Sequence, residues 1–378
     1  MRARNLRTIR IDRLRENMRK IRASVPESAK VMAVVKADGY GHGAAETARA
    51  ALEGGAEYLA VASVAEGTAL RKSGISAPIL VLGAVCPWDV FEGVDSSLIQ
   101  TVCSPEMVRL CEEAGAAAGK TAEVHLKIDT GMGRIGVRNR EELEAVAGEI
   151  DRSPHVTLTG AFTHFSDADG DGNGMAYTDK QFAKFRELSG LLPENILRHC
   201  SNSAAIHRRK DFVMDMVRAG ISLYGYPPVT ENNIGLEPCM RWTARISYIK
   251  ETEAGAYLSY GRTFRTGGKT RVATVTCGYG DGYHRCAGPK AEVLIHGKRA
   301  KVLGRICMDQ MLADVSDIPE AREGDEVVLI GEDRNERIDA EQIAAWSGTI
   351  SYEILLSVGS RVERVFEDRQ NYEGGRNG

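Results

Sequence analysis

The stretch Val31-Met32-Ala33-Val34-Val35-Lys36-Ala37-Asp38-Gly39-Tyr40-Gly41-His42-Gly43 is apolar up to a lysine. It then passes through spaced glycines into the alanine-rich helical pattern of Gly43–Leu52. A short apolar run followed at once by a helical period reads as one strand–helix unit. The same rhythm recurs outward along the chain. Strands are expected at Val31–Lys36, Tyr58–Ala62, Pro78–Leu82, Leu98–Cys103, Ala122–Ile128, Val156–Thr163, Ile196–Cys200 and Gly220–Gly225. Helices fall between them, most clearly at Gly43–Leu52, Val64–Lys72, Pro105–Ala117 and Gln181–Leu191. Strand–helix alternation implies parallel strands with right-handed crossovers. Eight such units in about 225 residues predict a (β/α)8 TIM-like barrel. An open doubly wound sheet would usually carry Gly-x-Gly-x-x-Gly after its first strand, and none stands there.

The pattern changes near Pro227–Leu236. Beyond it, strand-like runs dominate at Trp242–Glu251, Arg271–Thr276, Ala291–Ile295, Lys301–Leu303 and Glu326–Ile330, with one helical stretch at Asp339–Trp346. Turns such as Gly267-Gly268 and Gly297-Lys298 separate them. The expected fold class is therefore α/β: a barrel over residues 1–234 followed by a C-terminal mostly-β domain over 235–378.

The chain has 378 residues, 43% hydrophobic and 27% charged, with a net charge of -3. That composition excludes a largely disordered chain and lacks the basic field that nucleic acids or anionic membranes attract. No apolar run approaches a membrane span, the best being Ile79–Cys86, and no apolar stretch follows Met1-Arg-Ala-Arg-Asn5 as a secretory signal requires. A soluble, cytoplasmic protein is expected. The eight cysteines form no Cys-x-x-Cys pair and read as small buried hydrophobes.

In such a barrel the chemistry sits where strands end. Lys36 closes the first strand, where desolvation at an apolar mouth lowers an ammonium pKa and frees the amine to act as nucleophile or base. Glycines at 39, 41 and 43 let backbone approach a ligand closely. The loops after strands seven and eight, Ser201-Asn202-Ser203-Ala204 and Arg218-Ala219-Gly220-Ile221-Ser222, are the usual phosphate site of a barrel. A lysine on one side and a phosphate cradle on the other describe a pocket for pyridoxal phosphate. Taken singly, Lys36 reads as a solvated strand-end lysine, Asn202-Ser203 as a helix cap, and His164 as a hydrogen-bonded structural histidine. Lys127 and Arg134 lie near the same mouth. Asp167-Ala-Asp169-Gly-Asp171-Gly172 imitates an EF-hand loop, but Thr178 occupies the position of its bidentate glutamate, so no metal is assigned.

Val34-Val-Lys36-Ala-Asp-Gly-Tyr40-Gly-His-Gly43 resembles the pyridoxal phosphate attachment signature of bacterial alanine racemases. Further matches follow in family order: His125-Leu-Lys-Ile-Asp-Thr-Gly-Met-Gly-Arg134, Thr163-His-Phe165, Asn202-Ser-Ala204 and Arg218-Ala-Gly-Ile-Ser-Leu-Tyr-Gly225. In the β domain come Ser259-Tyr-Gly261, Gly278-Tyr-Gly-Asp-Gly-Tyr283, Gly304-Arg-Ile-Cys-Met-Asp-Gln310 and Ile350-Ser-Tyr-Glu353. The resemblance implies a fold-type III pyridoxal phosphate enzyme that interconverts L- and D-alanine by two bases, supplies D-alanine for peptidoglycan, and forms a homodimer with shared active sites.

By that resemblance Lys36 is the cofactor-bearing lysine and the D-face base, and Tyr260 the L-face base. Tyr40, Ser203, Gly220, Ile221 and Tyr352 contact the phosphate, Arg218 faces the pyridine nitrogen and His164 stacks on the ring. Arg134 and Met308 hold the substrate carboxylate, Tyr279 gates the entrance, and Lys127 stands where many relatives carry a carbamylated lysine. Asp38 replaces a common Asn, and Cys277 and Gly280 flank Tyr279 in place of other residues. Serine or broad-spectrum racemisation, or a non-catalytic pyridoxal phosphate binder, are the alternative readings.

Overall fold

The computed structural model describes residues 3–369, which divide into two compact units. The first strand, β1 (Leu6–Arg10), does not join the barrel. The barrel unit comprises Arg13–Glu237 and is built on β2 (Lys30–Val34), β3 (Tyr58–Val61), β4 (Ile79–Val81), β5 (Gln100–Val102), β6 (Ala122–Lys127), β7 (Val156–Phe162), β8 (Leu197–His199) and β9 (Met216–Ala219). These pair in parallel in the orders β4-β3-β2-β9 and β5-β6-β7-β8. Two seams close the ring. At one, Val81 N–H donates to Ile99 O (3.0 Å) and Ile99 N–H to Ile79 O (2.9 Å). At the other, Asp215 N–H donates to Arg198 O (3.1 Å) and Arg218 N–H to Ser201 O (3.0 Å).

The eighth strand is not where the sequence places it. Residues 221–224 (Ile-Ser-Leu-Tyr) wind into a 3-10 turn, and β9 lies just before them, at Met216–Ala219. The cause is local: Gly220 bends at φ -100, ψ -110, outside the extended region, and the buried Tyr224 donates its hydroxyl to Val34 O (2.9 Å). Arg218 on β9 interrupts the apolar pattern that would have marked the strand.

One irregularity inside the barrel bears on the site. The β6–β7 register shifts between Val124 and His125, so Val124 pairs with Leu158 but His125 with Gly160. Such a bulge re-aims the side chain beside it. The His125 ring takes the space a side chain at residue 160 would need, since a Cβ on Gly160 would meet ring atoms at 2.5–2.7 Å.

The second unit joins residues 3–12 to residues 238–369. Its long central strand, β10 (Met240–Thr252), pairs antiparallel with β1, with Thr270–Val275 and with Glu326–Asp333. β1 also pairs in parallel with Glu363–Glu367. That pairing places the first residues with the β unit, where the sequence reading groups them with the barrel. Trp242 and Tyr283 are fully buried here, their rings 5.9 Å apart.

Gly160→Ala is expected to destabilise the barrel by about 1–3 kcal/mol through overpacking against His125. A lower urea midpoint with unchanged far-UV dichroism checks this, and a wild-type midpoint contradicts the packing described.

Candidate active site

Lys36 follows β2 and opens a left-handed turn: Ala37, Asp38, Gly39 and Tyr40 have φ 53, 53, 61 and 51. Each left-handed non-glycine residue costs about 1–2 kcal/mol, so this turn exists because its surroundings fix it. Gly39 N–H bonds Val35 O (2.9 Å), Gly41 N–H bonds Ala37 O (3.1 Å), and Gly43 N–H bonds Asp38 O (2.8 Å). Glu66 accepts from the Ala37 and Ala62 amides (2.8 and 2.7 Å), and Asp38 Oδ1 accepts from Ala44 N–H (3.1 Å) at the start of helix Ala44–Glu53. Asp38 is thus a capping group here. Burial first, then the positive charge of Arg134, holds the Lys36 amine below its ordinary pKa. Glu66 opposes the shift and Arg218 adds to it.

Arg218 is buried on β9 with no carboxylate against it among the described residues. Its NH2 donates to Thr163 O (2.8 Å) and Cys200 O (3.0 Å), its NH1 to His199 O (3.1 Å) and His199 Nδ1 (2.9 Å). His164 Nδ1, at the end of β7, lies 3.3 Å from NH2. Burial lowers Arg218 to about 10. Burial and then the Arg218 charge hold His164 and His199 well below their usual range and push His125 to about 3. Lys127, buried at the end of β6, donates to Ile128 O (3.1 Å) and is lowered to about 7 by burial and then by Arg218. Arg134 stands exposed on the loop that Asp129 shapes by accepting from Gly131 N–H (2.9 Å) and Gly133 N–H (3.1 Å).

Positive groups outweigh the carboxylates of Glu66 and Asp129 in this cluster, and a hydroxyl-lined cradle adjoins it. Ser203 Oγ accepts from Gly220 N–H (2.9 Å) and lies 3.4 Å from Ser222 N. A Cβ at residue 220 would stand 3.2 Å from the Tyr40 hydroxyl and 3.6 Å from Ser203 Oγ. Glycine therefore keeps the space between those two hydroxyls open, and Ile221 follows directly as the first residue of the 3-10 turn.

In the β unit, Tyr260 sits on a turn with Ser259, Gly261 and Arg262 at φ 62, 73 and 52, and is 68% exposed. Tyr279 N–H donates to Cys307 O (3.0 Å) and Gly280 N–H to Met308 O (2.8 Å), so the Tyr279 and Met308 loops are tied backbone to backbone. Tyr352 lies in the helix Ser351–Ser357. The Asp169 and Asp171 loop is a helix start: Asp171 Oδ1 accepts from Asn173 N–H (3.0 Å) at the head of helix Gly172–Ser189.

Residues 9–228 match the alanine racemase N-terminal domain family and residues 239–366 its C-terminal domain family. An alanine racemase of Halothermothrix orenii is 42% identical over 362 residues, covering 94% of this chain and 95% of that protein. Among solved structures, the alanine racemase of Clostridium difficile superposes with a TM-score of 0.91 at 39% identity, covering 97% of each chain. The Bacillus anthracis enzyme with bound L-Ala-P gives 0.89 at 34% identity, covering 98% of this chain and 99% of that one. The chain belongs to the alanine racemase family.

It is accordingly a pyridoxal phosphate-dependent enzyme that interconverts L- and D-alanine. The alanine racemase residues present fit that cofactor. The space held open at Gly220 between two hydroxyls suits a phosphate, the depressed amine of Lys36 suits a carbonyl carbon, and Arg218 offers only donors. Sequence reading did not single out His199 or Phe162, and it quoted His125 only as part of a motif. The Phe162 ring stacks on His199 at 5.0 Å and 4°. Also missed were Asp281, Arg361 and Arg4. Asp281 is buried, accepts from Gly278 N–H (3.0 Å) and lies 3.5 Å from both arginines, while Arg361 donates to Asp309 (2.8 Å). That charge cluster links the Tyr279 turn to the residue after Met308. Only its Asp281 and Asp309 lay inside quoted motifs.

The histidine shifts have a thermodynamic consequence. An unfolded histidine takes up a proton below about pH 6.5, whereas folded His125 does so only near 3. Its stabilisation is therefore fully present above about pH 6.5 and is lost as pH falls, at about 1.4 kcal/mol per pH unit. Between about pH 5.5 and 4, His125→Asn should lose stability less steeply than wild type by that slope. Parallel acid limbs in urea titrations would contradict a neutral, buried His125.

Proposed function

We propose that racemisation uses Lys36 and Tyr260 as bases on opposite faces of the substrate Cα, in a cytoplasmic homodimer whose sites combine residues of both subunits. The observation that carries this reading is the Lys36 amine, depressed by burial and by Arg134 beside a cradle built for phosphate. Pyridoxal phosphate, when bound, supplies the electron sink that lets the Cα–H bond ionise. The chain's own groups do the rest. Lys36 holds the cofactor and moves a proton at the D-face of Cα, and Tyr260 moves one at the L-face. Tyr40, Ser203, Gly220, Ile221 and Tyr352 hold the phosphate in the barrel-based cofactor site, with His164 against the ring. Arg218 would face the pyridine nitrogen and offer it a guanidinium donor that keeps its proton, which would moderate the electron sink. Arg134 and Met308 hold the substrate carboxylate, and Tyr279 gates entry. Lys127, with an amine lowered to about 7, adds to carbon dioxide with loss of a proton, and the resulting anion orients Arg134.

Support for shared sites comes from exposure. Tyr260, Met308 and Tyr279 are 68, 53 and 42% exposed in the single chain, yet their roles require water to be excluded. Each site then takes Lys36 from one subunit and Tyr260 of the partner subunit, in a closed two-fold pair.

Borohydride treatment of the yellow holoenzyme followed by peptide mapping should find the cofactor on Lys36, and label on another lysine refutes the pocket. Inactive Lys36→Ala and Tyr260→Phe subunits, allowed to exchange, should recover activity. In a mixed dimer both lesions fall in one site and the other is intact. About half of the dimers are mixed, so about a quarter of all sites regain activity. No recovery with exchange confirmed sinks the shared site. Initial rates on L-alanine against L-serine, with α-proton exchange in D2O, separate an alanine enzyme from a broad-spectrum one and from a binder.

A further inference from the structure

Two buried imidazoles stand in series behind the Arg218 guanidinium. Arg218 NH1 lies 2.9 Å from His199 Nδ1, and His199 Nε2 lies 3.0 Å from His125 Nδ1. His125 Nε2 ends the row, buried and without a hydrogen-bond partner, against the backbone at Gly160. A guanidinium has donors and no acceptor, so His199 Nδ1 must accept. A neutral His199 then carries its proton on Nε2 and donates it to His125 Nδ1, which leaves the His125 proton on Nε2. The opposite order would set two N–H groups against each other at 2.9 Å in a buried site.

Packing leaves only that order to be chosen. Phe162 stacks flat on His199 at 5.0 Å, and the Arg218 guanidinium lies over the same Phe162 ring at 5.6 Å, so the planes are fixed. An apolar side chain of similar shape at residue 125 would avoid burying an unpaired N–H. What it could not provide is the acceptor at Nδ1.

We propose that His125 is a positioning residue: by accepting from His199 Nε2–H it secures the proton order that the Arg218 contact asks of His199, and thereby the orientation of Arg218. The catalytic consequence rests on the reading above, in which Arg218 faces the pyridine nitrogen.

The test begins with the wild-type holoenzyme labelled with 15N-histidine, whose eight histidines allow assignment by single replacements. His199 and His125 should both show a protonated Nε2 and an unprotonated Nδ1, and a proton on His199 Nδ1 overturns the proposal even if no variant folds. His125→Leu removes the acceptor and should give His199 mixed proton positions. In the holoenzyme it should shift the cofactor's visible absorption and lower kcat by about tenfold to a hundredfold at unchanged KM. His125→Asn, which keeps an acceptor near the Nδ1 position, should restore all three. If His125→Leu leaves the His199 proton order intact, His125 has no positioning role. If the proton order changes while the absorption and kcat do not, the placement of Arg218 against the ring fails instead, and the hold of His125 on His199 stands.

Discussion

A guanidinium sealed into a barrel with no carboxylate beside it can only be held by neutral acceptors, and that constraint shapes everything around Arg218. Three backbone carbonyls, from Thr163, His199 and Cys200, and the Nδ1 atoms of His199 and His164 take up its NH1 and NH2 donors. Those imidazoles must be neutral, because a second cation in contact with Arg218 in low dielectric would be strongly repelled. The same uncompensated charge reaches Lys127 and Lys36, lowering both amines. Burial is the larger cause of each shift, and the unpaired arginine adds to it along this side of the barrel mouth. An Asp beside it would oppose only that added part.

The second determinant is steric. The role proposed for Lys36 calls for an amine held at a defined place at the barrel mouth. The chain achieves this by leaving β2 directly into a left-handed turn rather than into a helix. Ala37, Asp38 and Tyr40 occupy that turn without the freedom of glycine. The strain is held by Glu66, which clamps the Ala37 and Ala62 amides with its two carboxylate oxygens, and by the Asp38 contact to Ala44. The turn also brings Tyr40 onto Tyr224, their rings 4.6 Å apart, and so fixes the hydroxyl that faces Gly220. Position and phosphate cradle are therefore set by one backbone feature.

Much of this was legible in the sequence where polar groups end apolar runs. Lys36, His164 and Ser203 each read singly as an ordinary strand-end or capping group, and only their convergence on one barrel mouth, with the motif resemblance, points to a site. Positions inside strands are harder to read. His199 lies in the short β8 strand, Leu197–His199, next to Arg198, and looks like a polar edge until the barrel closes around it. Arg218 likewise disguises β9, which is why the sequence pattern points to Gly220–Gly225 instead. β1 was invisible for another reason: its partners Met240–Thr243 and Glu363–Glu367 lie more than 200 residues away, and no local pattern reports such a pairing.

The β unit presents its groups by the opposite strategy. The carboxylate of Asp281 is buried but fully compensated: it accepts from Gly278 N–H and lies between Arg4 and Arg361. Compensation suits a structural task, because a buried charge with matched partners fixes geometry. The loops bearing Tyr279 and Met308 are welded by backbone bonds and by a missing side chain. A Cβ at residue 278 would come within 2.3–2.5 Å of the Cys307 and Met308 main chain. Charge is left unpaired where it must tune protons and is paired where it must only hold loops. The two units of this alanine racemase divide along that line.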